Sequence, residues 1–249
     1  MRASHLNWAL AGMKPNYQVH EDMYVEARQA GWEGWGGNER MSKAVLVDRF
    51  LELCKRPKQG KLLELGCGEG HHCRAFFQKL GFAVTGIDVS PTAIAWAKEK
   101  ARATGTEGDY YTSDLTVESL ELPERYDAVI DGNCLHCIIG ADRAIFLGNV
   151  YRSLSENGVF FVSSLCSKDE NSYETYRDNS PYRHVTSQSG LVVELKQAGF
   201  QVLHVSVYER LTSNHITVYA IKHNLVWKRL LTKRLRQIRN AWHFGFYSA

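Results

Sequence analysis

The residues with the clearest chemical potential form one glycine-rich loop. The segment ELGCGEG (64–70) follows an apolar strand predicted over 61–65 and has glycine at three alternate positions. Such glycines let the backbone approach a ligand closely, and the helix that follows favours a negative group at its N-terminus. His71 stands where a dinucleotide fingerprint has its third glycine, and no Gly-Lys-Ser/Thr phosphate loop follows. The loop therefore predicts a ligand of another kind, and the alternative is a simple strand–helix turn.

Acidic residues mark the ends of four successive predicted strands. Glu64 precedes the glycines, Asp88 comes 22 residues after the first glycine, and Asp114 and Asp131 follow the third and fourth strands. An acid about 20 residues after a glycine loop is placed to accept hydrogen bonds from ribose hydroxyls. Asp114 could meet an adenine amino group. Because the carboxyl ends of parallel strands face one crevice, we expect the four acids to share a site, although each alone could be a solvated loop residue.

The hydrophobic pattern alternates between strands and helices along most of the chain. The predicted strands are 61–65, 82–87, 110–112, 126–130, 159–165, 200–208 and 216–221. The predicted helices are 42–54, 72–80, 91–103, 142–154 and 188–198. This alternation with apolar strands is typical of an α/β fold, a mostly parallel sheet with helices on both faces in three layers. Residues 1–40 are predicted to be irregular and aromatic, and residues 166–186 to form a polar loop.

Five motifs together resemble the class I, Rossmann-like S-adenosylmethionine-dependent methyltransferases over roughly residues 40–222. They are LLELGCGEG (62–70), GIDVS (86–90), SDL (113–115), YDAVIDG (126–132) and LSENGVFFV (154–162). The resemblance implies a seven-stranded sheet whose last strand is antiparallel, and S-adenosyl-L-methionine as cofactor. It implies that the glycine loop meets the methionyl part, Asp88 the ribose and Asp114 the adenine, with Asp131 near the methionyl amino group or the reacting centre. The cofactor-binding residues so implied are Glu64, Gly66, Cys67, Gly68, Gly70, Asp88, Val89, Asp114, Leu115 and Asp131.

The loop after the fourth strand, residues 131–137, offers one candidate catalytic base. Methyl transfer requires the accepting atom to lie in line with the sulfur–methyl bond, and a base is needed only if that atom arrives protonated. His136 is the candidate because a histidine pKa is tuned easily near neutral pH. A histidine near this place is common in the resembled family. The alternative is a histidine at the start of a helix that bonds to the backbone.

A zinc site and two types of nucleobase methylation are disfavoured by the sequence. Cys134 and Cys137 lie near His136 in sequence and His71-His72-Cys73 forms a second cluster, but no second Cys-x-x-Cys pair exists. We therefore expect no metal. No proline precedes Cys134, as it would in a cytosine-C5 methyltransferase, and the DPPY or NPPY motif of adenine-amino methyltransferases is absent.

Two segments are expected to cover the cofactor and bind the substrate. An aromatic lid at 1–40 contributes Tyr24 and Trp35, whose rings could attract a cation, and the loop at 166–186 contributes Tyr176 and Arg183. With Asn133 these are the predicted substrate-binding residues. The alternatives are simple packing for the rings and solvation for the loop residues. The three tyrosines and two arginines of the loop together predict a small, polar molecule that is anionic or zwitterionic; they are Tyr173, Tyr176, Arg177, Tyr182 and Arg183.

The last forty residues carry the basic character of the chain. The formal net charge is +3, but residues 210–249 hold eight Lys and Arg and no acid, so the rest is net −5. Residues 224–249 are predicted to form a basic amphipathic helix, separate from the methyltransferase domain at 41–223. We favour packing on its own sheet or on a second subunit, which makes a homodimer possible. An anionic membrane surface and RNA phosphates are the alternatives.

Cysteine spacing and hydropathy place the chain in the cytoplasm. The six cysteines are scattered, which indicates a reducing compartment, and no apolar run approaches the ~20 residues needed to span a bilayer. The N-terminal residues are interpreted as mature protein. The predicted function is methyl transfer to an N, O or S atom of a small molecule. The alternatives are an RNA or protein methyltransferase that uses the basic helix, and a non-catalytic cofactor-binding interaction module.

Overall fold

The computed structural model describes residues 15–37, 45–54, 59–118 and 120–222. The predicted helix start at Ser42 and the basic helix predicted at 224–249 lie outside the described residues. The domain boundaries proposed from the sequence stay predictions.

A seven-stranded sheet forms the centre of the fold. Its strands are β1 (Gly60–Leu65), β2 (Phe82–Asp88), β3 (Asp109–Thr112), β4 (Tyr126–Asp131), β5 (Leu154–Cys166), β8 (Phe200–Tyr208) and β9 (Asn214–Lys222). The strand order is β3-β2-β1-β4-β5-β9-β8, and β9 runs antiparallel to both of its neighbours. The predicted sheet with an antiparallel last strand is therefore confirmed. The order reverses between β1 and β4, where α/β sheets open a ligand crevice at the carboxyl ends of the strands.

Helices cover both faces of the sheet. They are α1 (Gln18–Gln29), α2 (Val45–Leu53), α3 (Pro91–Thr104), α4 (Asp142–Ser153) and α5 (Gln188–Gln197). One buried core joins α2 and α3 to the sheet, and a second joins α4 and α5 to its other face. Leu62 packs in the first core and Leu63 in the second, because successive strand residues point to opposite faces. This arrangement confirms the predicted three-layer α/β sandwich.

The segment before the first strand contains a helix that the sequence prediction missed. We predicted residues 1–40 to be irregular, but Gln18–Gln29 forms α1 and buries Val19, Tyr24 and Ala27. The four glycines of 31–37 disfavour regular structure only beyond this helix, which ends at Gln29 just before them. The first cover of the site is therefore a rigid helix.

The polar segment at 166–186 is also more regular than predicted. It forms an antiparallel hairpin of β6 (Tyr173–Arg177) and β7 (Ser180–Val185) in place of an irregular loop. Asp178 and Asn179 form the turn with φ of 50° and 62°. Two consecutive left-handed residues match the right-handed twist of a hairpin, and Asp and Asn tolerate that conformation. The Asp-Asn pair was the missed signal.

The helix predicted over 72–80 exists but is not α-helical. Cys73–Phe77 forms a π-helical turn and Gln78–Leu80 a 3₁₀ turn, which Gly81 ends with φ of 91°. A π-helical turn is frequent at functional sites. Within the described ranges, no helix combines the length and apolarity needed to cross a membrane.

Candidate active site

One cavity of about 520 Å³ lies at the carboxyl ends of the strands, beneath α1 and the hairpin. Its volume falls within the range of small-molecule sites, which is about 300–1,000 Å³. Its two ends differ in charge. We call one the glycine-loop end, with Glu64, Gly66, Cys67, Gly68, Glu69, Asp88, Val89, Asp114 and Leu115. We call the other the basic end, with His20, Arg49, Asn133, His136, Arg183, Arg210 and His215.

The glycines of the loop are required by close approach as well as by conformation. Gly66 and Gly68 have φ of 63° and 56°, which side-chain-bearing residues rarely adopt. A Cβ on Gly66 would lie 2.6 Å from the Cβ of Cys134, and one on Gly68 would collide with the hydroxyl of Tyr24. Both glycines therefore let neighbouring chain segments close around the cavity.

Glu64 is buried at the glycine-loop end and held by two neighbours. Its Oε1 lies 2.8 Å from Nδ1 of His72, and Cys73 donates its thiol to Oε2 over 3.0 Å. Burial and the nearby carboxylate raise the pKa of Cys73, which keeps that thiol protonated as a donor. The π-helical turn thus fixes the orientation of the carboxylate.

Asp88 ends β2 inside the same end of the cavity. Its carboxylate accepts hydrogen bonds from the backbone N–H groups of Gly68 and Ser90, each over 2.9 Å. Burial outweighs these bonds and raises its pKa to about 6. A carboxylate has about four acceptor positions, so two backbone donors leave capacity for hydroxyl groups of a ligand.

Asp114 and Leu115 follow β3 and also line the cavity. One carboxylate oxygen of Asp114 accepts hydrogen bonds from the N–H and the hydroxyl of Thr116, over 2.8 and 2.6 Å. These bonds orient the carboxylate at the cavity wall. The structure thus brings eight of the ten predicted cofactor residues together.

Asp131 and Gly70, the other two predicted cofactor residues, are not among the residues that line the cavity. Asp131 is fully buried and accepts hydrogen bonds from the N–H groups of Cys134 and Leu135, over 2.6 and 2.9 Å. Burial raises its pKa to about 7. Gly70 packs against the ring of Tyr110, behind the loop. Both residues shape the site from outside, because a strand-end position does not by itself place a side chain in the crevice.

Helix α1 presents a row of side chains to the cavity. Tyr17, His20 and Tyr24 lie on one face at helical spacing, and all line the cavity. The ring of Trp35 lies 5.0 Å from that of Tyr24, and its backbone N–H donates to Glu69 over 3.2 Å. The structure therefore places both predicted lid aromatics, Tyr24 and Trp35, on the cavity wall.

His136 lies in the cavity, but its environment does not suit a base. Its Nδ1 accepts a hydrogen bond from the N–H of Leu165 over 3.4 Å, so the neutral ring carries its proton on Nε2. Burial, followed by the charge of Arg183, holds the pKa of His136 well below its usual value. The geometry therefore favours a neutral hydrogen-bond donor over the predicted proton acceptor.

The short helical turn that carries His136 is held by Arg143. Its Nη1 donates to the carbonyls of Leu135 and Ile138 over 2.7 and 3.1 Å. Its Nε and Nη2 donate to both carboxylate oxygens of Glu194, over 2.9 and 2.6 Å. The guanidinium thus ties the His136 turn to α5.

Asn133, a predicted substrate residue, is oriented by a chain of hydrogen bonds. Arg49 lies 3.0 Å from Nδ1 of His215, and Nε2 of His215 lies 3.0 Å from Oδ1 of Asn133. Because a guanidinium only donates, His215 accepts at Nδ1 and donates from Nε2. Asn133 adopts a left-handed φ of 69°. Its amide oxygen is therefore engaged by His215, which directs its amide nitrogen elsewhere.

The hairpin contributes a different tyrosine from the one predicted. Arg183 lines the cavity, with its guanidinium 4.6 Å from the ring centre of Tyr182, which also lines it. Tyr176 does not line the cavity: it is exposed and its hydroxyl donates to Glu174 over 3.2 Å. The structure therefore does not bring Tyr176 to the cavity wall, because the hairpin presents it to solvent.

Several residues of the site were missed by the sequence argument, notably Tyr17, His20, Arg49, Arg210 and His215. The sequence signal lay in acids at strand ends, whereas these residues are basic or aromatic and come from other positions. His215, the second residue of an antiparallel last strand, was detectable in principle, because that end of the strand lies at the crevice. Among the described residues, no three His, Cys, Asp or Glu side chains are grouped to hold a metal ion.

Comparison with known proteins gives a family and a fold. A family model described as "Methyltransferase domain" matches residues 57–231. The chain is 35% identical over 105 residues to a ubiquinone biosynthesis O-methyltransferase of Rhodopseudomonas palustris, which is 42% of this chain and 40% of that protein. It is 32% identical over 108 residues to a carboxy-S-adenosyl-L-methionine synthase of Campylobacter concisus, which is 43% and 45% of the two chains.

A solved structure extends the comparison to most of the chain. The 1,6-didemethyltoxoflavin-N1-methyltransferase of Burkholderia thailandensis, with S-adenosylhomocysteine bound, has a TM-score of 0.66 and 20% identity. The match covers 83% of this chain and 88% of that one. At this identity the likeness shows the fold. The chain spans 40–45% of the length of the two curated relatives, so their named activities do not transfer directly.

Proposed function

We propose that this chain, which belongs to the class I S-adenosylmethionine-dependent methyltransferases, transfers a methyl group to an N, O or S atom of a small polar molecule. The named relatives support this proposal, since one is called an O-methyltransferase and another an N1-methyltransferase of a small molecule. The accepting atom of this chain is left open among the three.

The charge of the glycine-loop end is the observation that carries the proposal. Glu64, Glu69, Asp88 and Asp114 line it, and the three arginines of the described cavity wall lie at the basic end. S-adenosylmethionine has a positive sulfonium and ammonium and no phosphate, so an acidic wall attracts it. A dinucleotide would bring a pyrophosphate into the same acidic surroundings. The residues present therefore fit the cofactor.

Each group at the glycine-loop end has a proposed role. The backbone of Gly66–Gly68 and the fixed carboxylate of Glu64 hold the methionyl part. Asp88 accepts hydrogen bonds from the ribose hydroxyls, and Asp114 accepts one from the adenine amino group. Tyr24 covers the loop from above, since its hydroxyl lies against Gly68. These side chains exclude water and fix the cofactor before the acceptor binds.

The basic end is proposed to hold the acceptor. When bound, S-adenosylmethionine supplies a methyl group on a positively charged sulfur to an atom placed in line with that bond. His136 donates a hydrogen bond from Nε2, and Asn133 offers its amide nitrogen as a second donor. Positioning alone is worth roughly 7–11 kcal/mol in well-oriented reactions. We therefore assign the two residues to orientation of the acceptor.

The remaining predictions are untested. A nucleic-acid or protein substrate depended on the basic segment at 224–249, which lies outside the described residues. A homodimer and a cytoplasmic location likewise stay predictions from composition. A non-catalytic cofactor-binding module is less favoured, because the cavity extends past the glycine-loop end into a second polar region.

Isothermal titration calorimetry followed by a transfer assay tests the proposal. S-adenosylmethionine and S-adenosylhomocysteine should bind with micromolar affinity, and NAD should not bind. Asp88→Ala should abolish binding, while Glu107→Ala, which removes an exposed carboxylate, should leave it unchanged. Radiolabelled methyl transfer to a panel of small phenols, amines, carboxylates and thiols then identifies the acceptor. Failure of folded, ligand-free protein to bind either adenosyl compound would refute the proposal.

A further inference from the structure

Two arginines of the basic end, Arg49 and Arg210, lack the carboxylate partner that three other described arginines have. Arg28, Arg143 and Arg177 each pair with a glutamate at 2.6–3.0 Å. Arg49 and Arg210 both line the cavity, and no carboxylate within the described part of the chain lies within 4.0 Å of either. Within the described residues neither guanidinium is therefore in ion-pair contact with a carboxylate, and Glu52 acts on Arg49 only from a longer distance.

Arg49 is held rigidly in this position. Its guanidinium lies 3.3 Å from the ring centre of Tyr208 and also contacts His215 at 3.0 Å. Stacking on an aromatic ring and one directed hydrogen bond reduce the number of conformations that a guanidinium must lose when it binds a ligand. Among the described residues, the bond to His215 uses one of its five N–H donors.

The positive field at this end is strong enough to affect neighbouring groups. Burial and the charge of Arg210 lower the pKa of Arg49, and burial with Arg183 and Arg177 lowers the pKa of His20 to about 4. Like charges gathered at a partly buried wall repel one another, and a bound anion removes that repulsion. Repulsion between these charges therefore destabilises the empty site, and a bound anion would relieve that repulsion.

We propose that Arg49 and Arg210 form an anion subsite that binds the carboxylate or phosphate group of the methyl acceptor. The proposal rests on the proposed function, since it concerns the acceptor end of the same cavity. Arg49 provides a fixed donor from α2, and the exposed Arg210 provides a second cation after β8. His215 has its Nδ1 engaged by Arg49 and its Nε2 by Asn133, which links the anion subsite to the acceptor-orienting amide.

Calorimetry on the protein saturated with S-adenosylhomocysteine tests this subsite with three aromatic probes. Benzoate and phenyl phosphate carry the two anionic groups, and benzamide is the uncharged match. We expect both anions, or one of them, to bind about ten-fold more tightly than benzamide, which is the gain of one charge-assisted contact. The anion that binds more tightly shows whether the subsite prefers a carboxylate or a phosphate group.

Three arginine variants decide where the anion binds. Arg210→Gln and Arg49→Gln should each weaken anion binding about ten-fold, whereas Arg102→Gln, an exposed position on α3, should change it less than about two-fold. Arg210 is exposed and has no ion pair with any described residue, so its variant is expected to fold even if Arg49→Gln disturbs His215. If neither benzoate nor phenyl phosphate binds more tightly than benzamide, or if anion binding is unaffected by Arg210→Gln, the subsite is overturned. Failure of the wild-type protein to bind S-adenosylhomocysteine would instead refute the proposed function.

Discussion

Ser90 donates its hydroxyl to the carboxylate of Glu21 over 2.5 Å, and its backbone N–H donates to Asp88 over 2.9 Å. One residue therefore connects the covering helix α1 to the acid proposed to bind the ribose. Glu21 also accepts hydrogen bonds from the N–H and the hydroxyl of Thr92, over 3.1 and 2.6 Å. Burial raises the pKa of Glu21 and these hydrogen bonds lower it, with a net decrease. Its carboxylate thus caps α3 in charged form.

Removal of the Glu21 carboxylate should weaken cofactor binding, although Glu21 is not one of the residues proposed to contact the cofactor. Glu21→Ala frees α1, and with it Tyr24, which lies against Gly68. Loss of several charge-assisted hydrogen bonds should reduce the affinity for S-adenosylhomocysteine by about ten-fold, measured by calorimetry. Asp22→Ala on the exposed side of the same helix is the control. Equal affinity of the two variants would show that α1 does not cover the cofactor.

Cofactor binding should depend on pH through Asp88. Its pKa of about 6 in the unliganded protein means that the carboxylate is charged above pH 7 and protonated below pH 5. Ribose hydroxyls donate to the charged form. The affinity for S-adenosylhomocysteine should therefore be constant from pH 7 to 8 and fall by about ten-fold per pH unit below pH 6.

A second variant separates this effect from other titrating groups. Asp131→Asn removes the other buried carboxylate with a raised pKa, while its amide oxygen can still accept from Cys134 and Leu135. The variant should keep the decrease below pH 6. A wild-type affinity that does not change with pH would show that Asp88 does not titrate as expected. Loss of the decrease in Asp131→Asn would assign the titration to Asp131 instead.

Asp131 should itself reduce the stability of the unliganded protein at neutral pH. Its pKa is about 7 in the folded chain and about 3.9 in the unfolded chain, so folding favours the protonated carboxyl. The resulting contribution to the free energy of unfolding is complete below pH 4 and is lost as pH rises through 7. Asparagine does not titrate. The free energy of unfolding of Asp131→Asn relative to wild type, from urea titrations, should therefore increase between pH 4 and pH 8. A difference that decreases over this range would contradict the raised pKa.

The acidic end of the site was predictable because its information is local in sequence. Glu64, Asp88 and Asp114 each lie at or just after a strand end, and strand ends follow from short apolar runs. The basic end was not predictable in the same way. Arg49 and His215 are 166 residues apart and meet because α2 packs on the sheet near β9. Such a contact follows from strand order and helix packing, which no single segment encodes.

The secondary-structure elements also divide into those that the sequence predicted and those that it did not. Strands β1, β2 and β4 are buried runs with clear ends, and their positions were predicted to within one residue. The hairpin of β6 and β7 was missed because its residues are polar and partly exposed, so they show no alternation of apolar side chains. Its stability comes from the Asp178-Asn179 turn and from contacts with the rest of the chain, including the ion pair of Arg177 with Glu26.

The protonation of His136 can be measured before any acceptor is known. Long-range ¹⁵N–¹H spectra of histidine-labelled protein should show Nδ1 without a proton and Nε2 with one, because Leu165 donates to Nδ1. The ring should stay neutral at pH values at which an ordinary histidine is protonated, since burial and Arg183 lower its pKa. His136→Ala assigns the signals and should leave S-adenosylhomocysteine affinity unchanged. A ring that titrates near pH 6.5 would restore the base hypothesis.

Arg143 and Arg177 should differ strongly in their contribution to stability although both pair with a glutamate. Arg143 is 4% exposed and also satisfies two buried carbonyls, so Arg143→Met should lower the free energy of unfolding by roughly 3–5 kcal/mol. Arg177 forms an exposed pair, so Arg177→Met should change it by less than about 1 kcal/mol. Urea unfolding measures both. Because Arg143 holds the His136 turn, its variant should also perturb the ¹⁵N signals of His136, whereas Arg177→Met should not. Equal unfolding free energies for the two variants would show that the Arg143 contacts do not stabilise the turn.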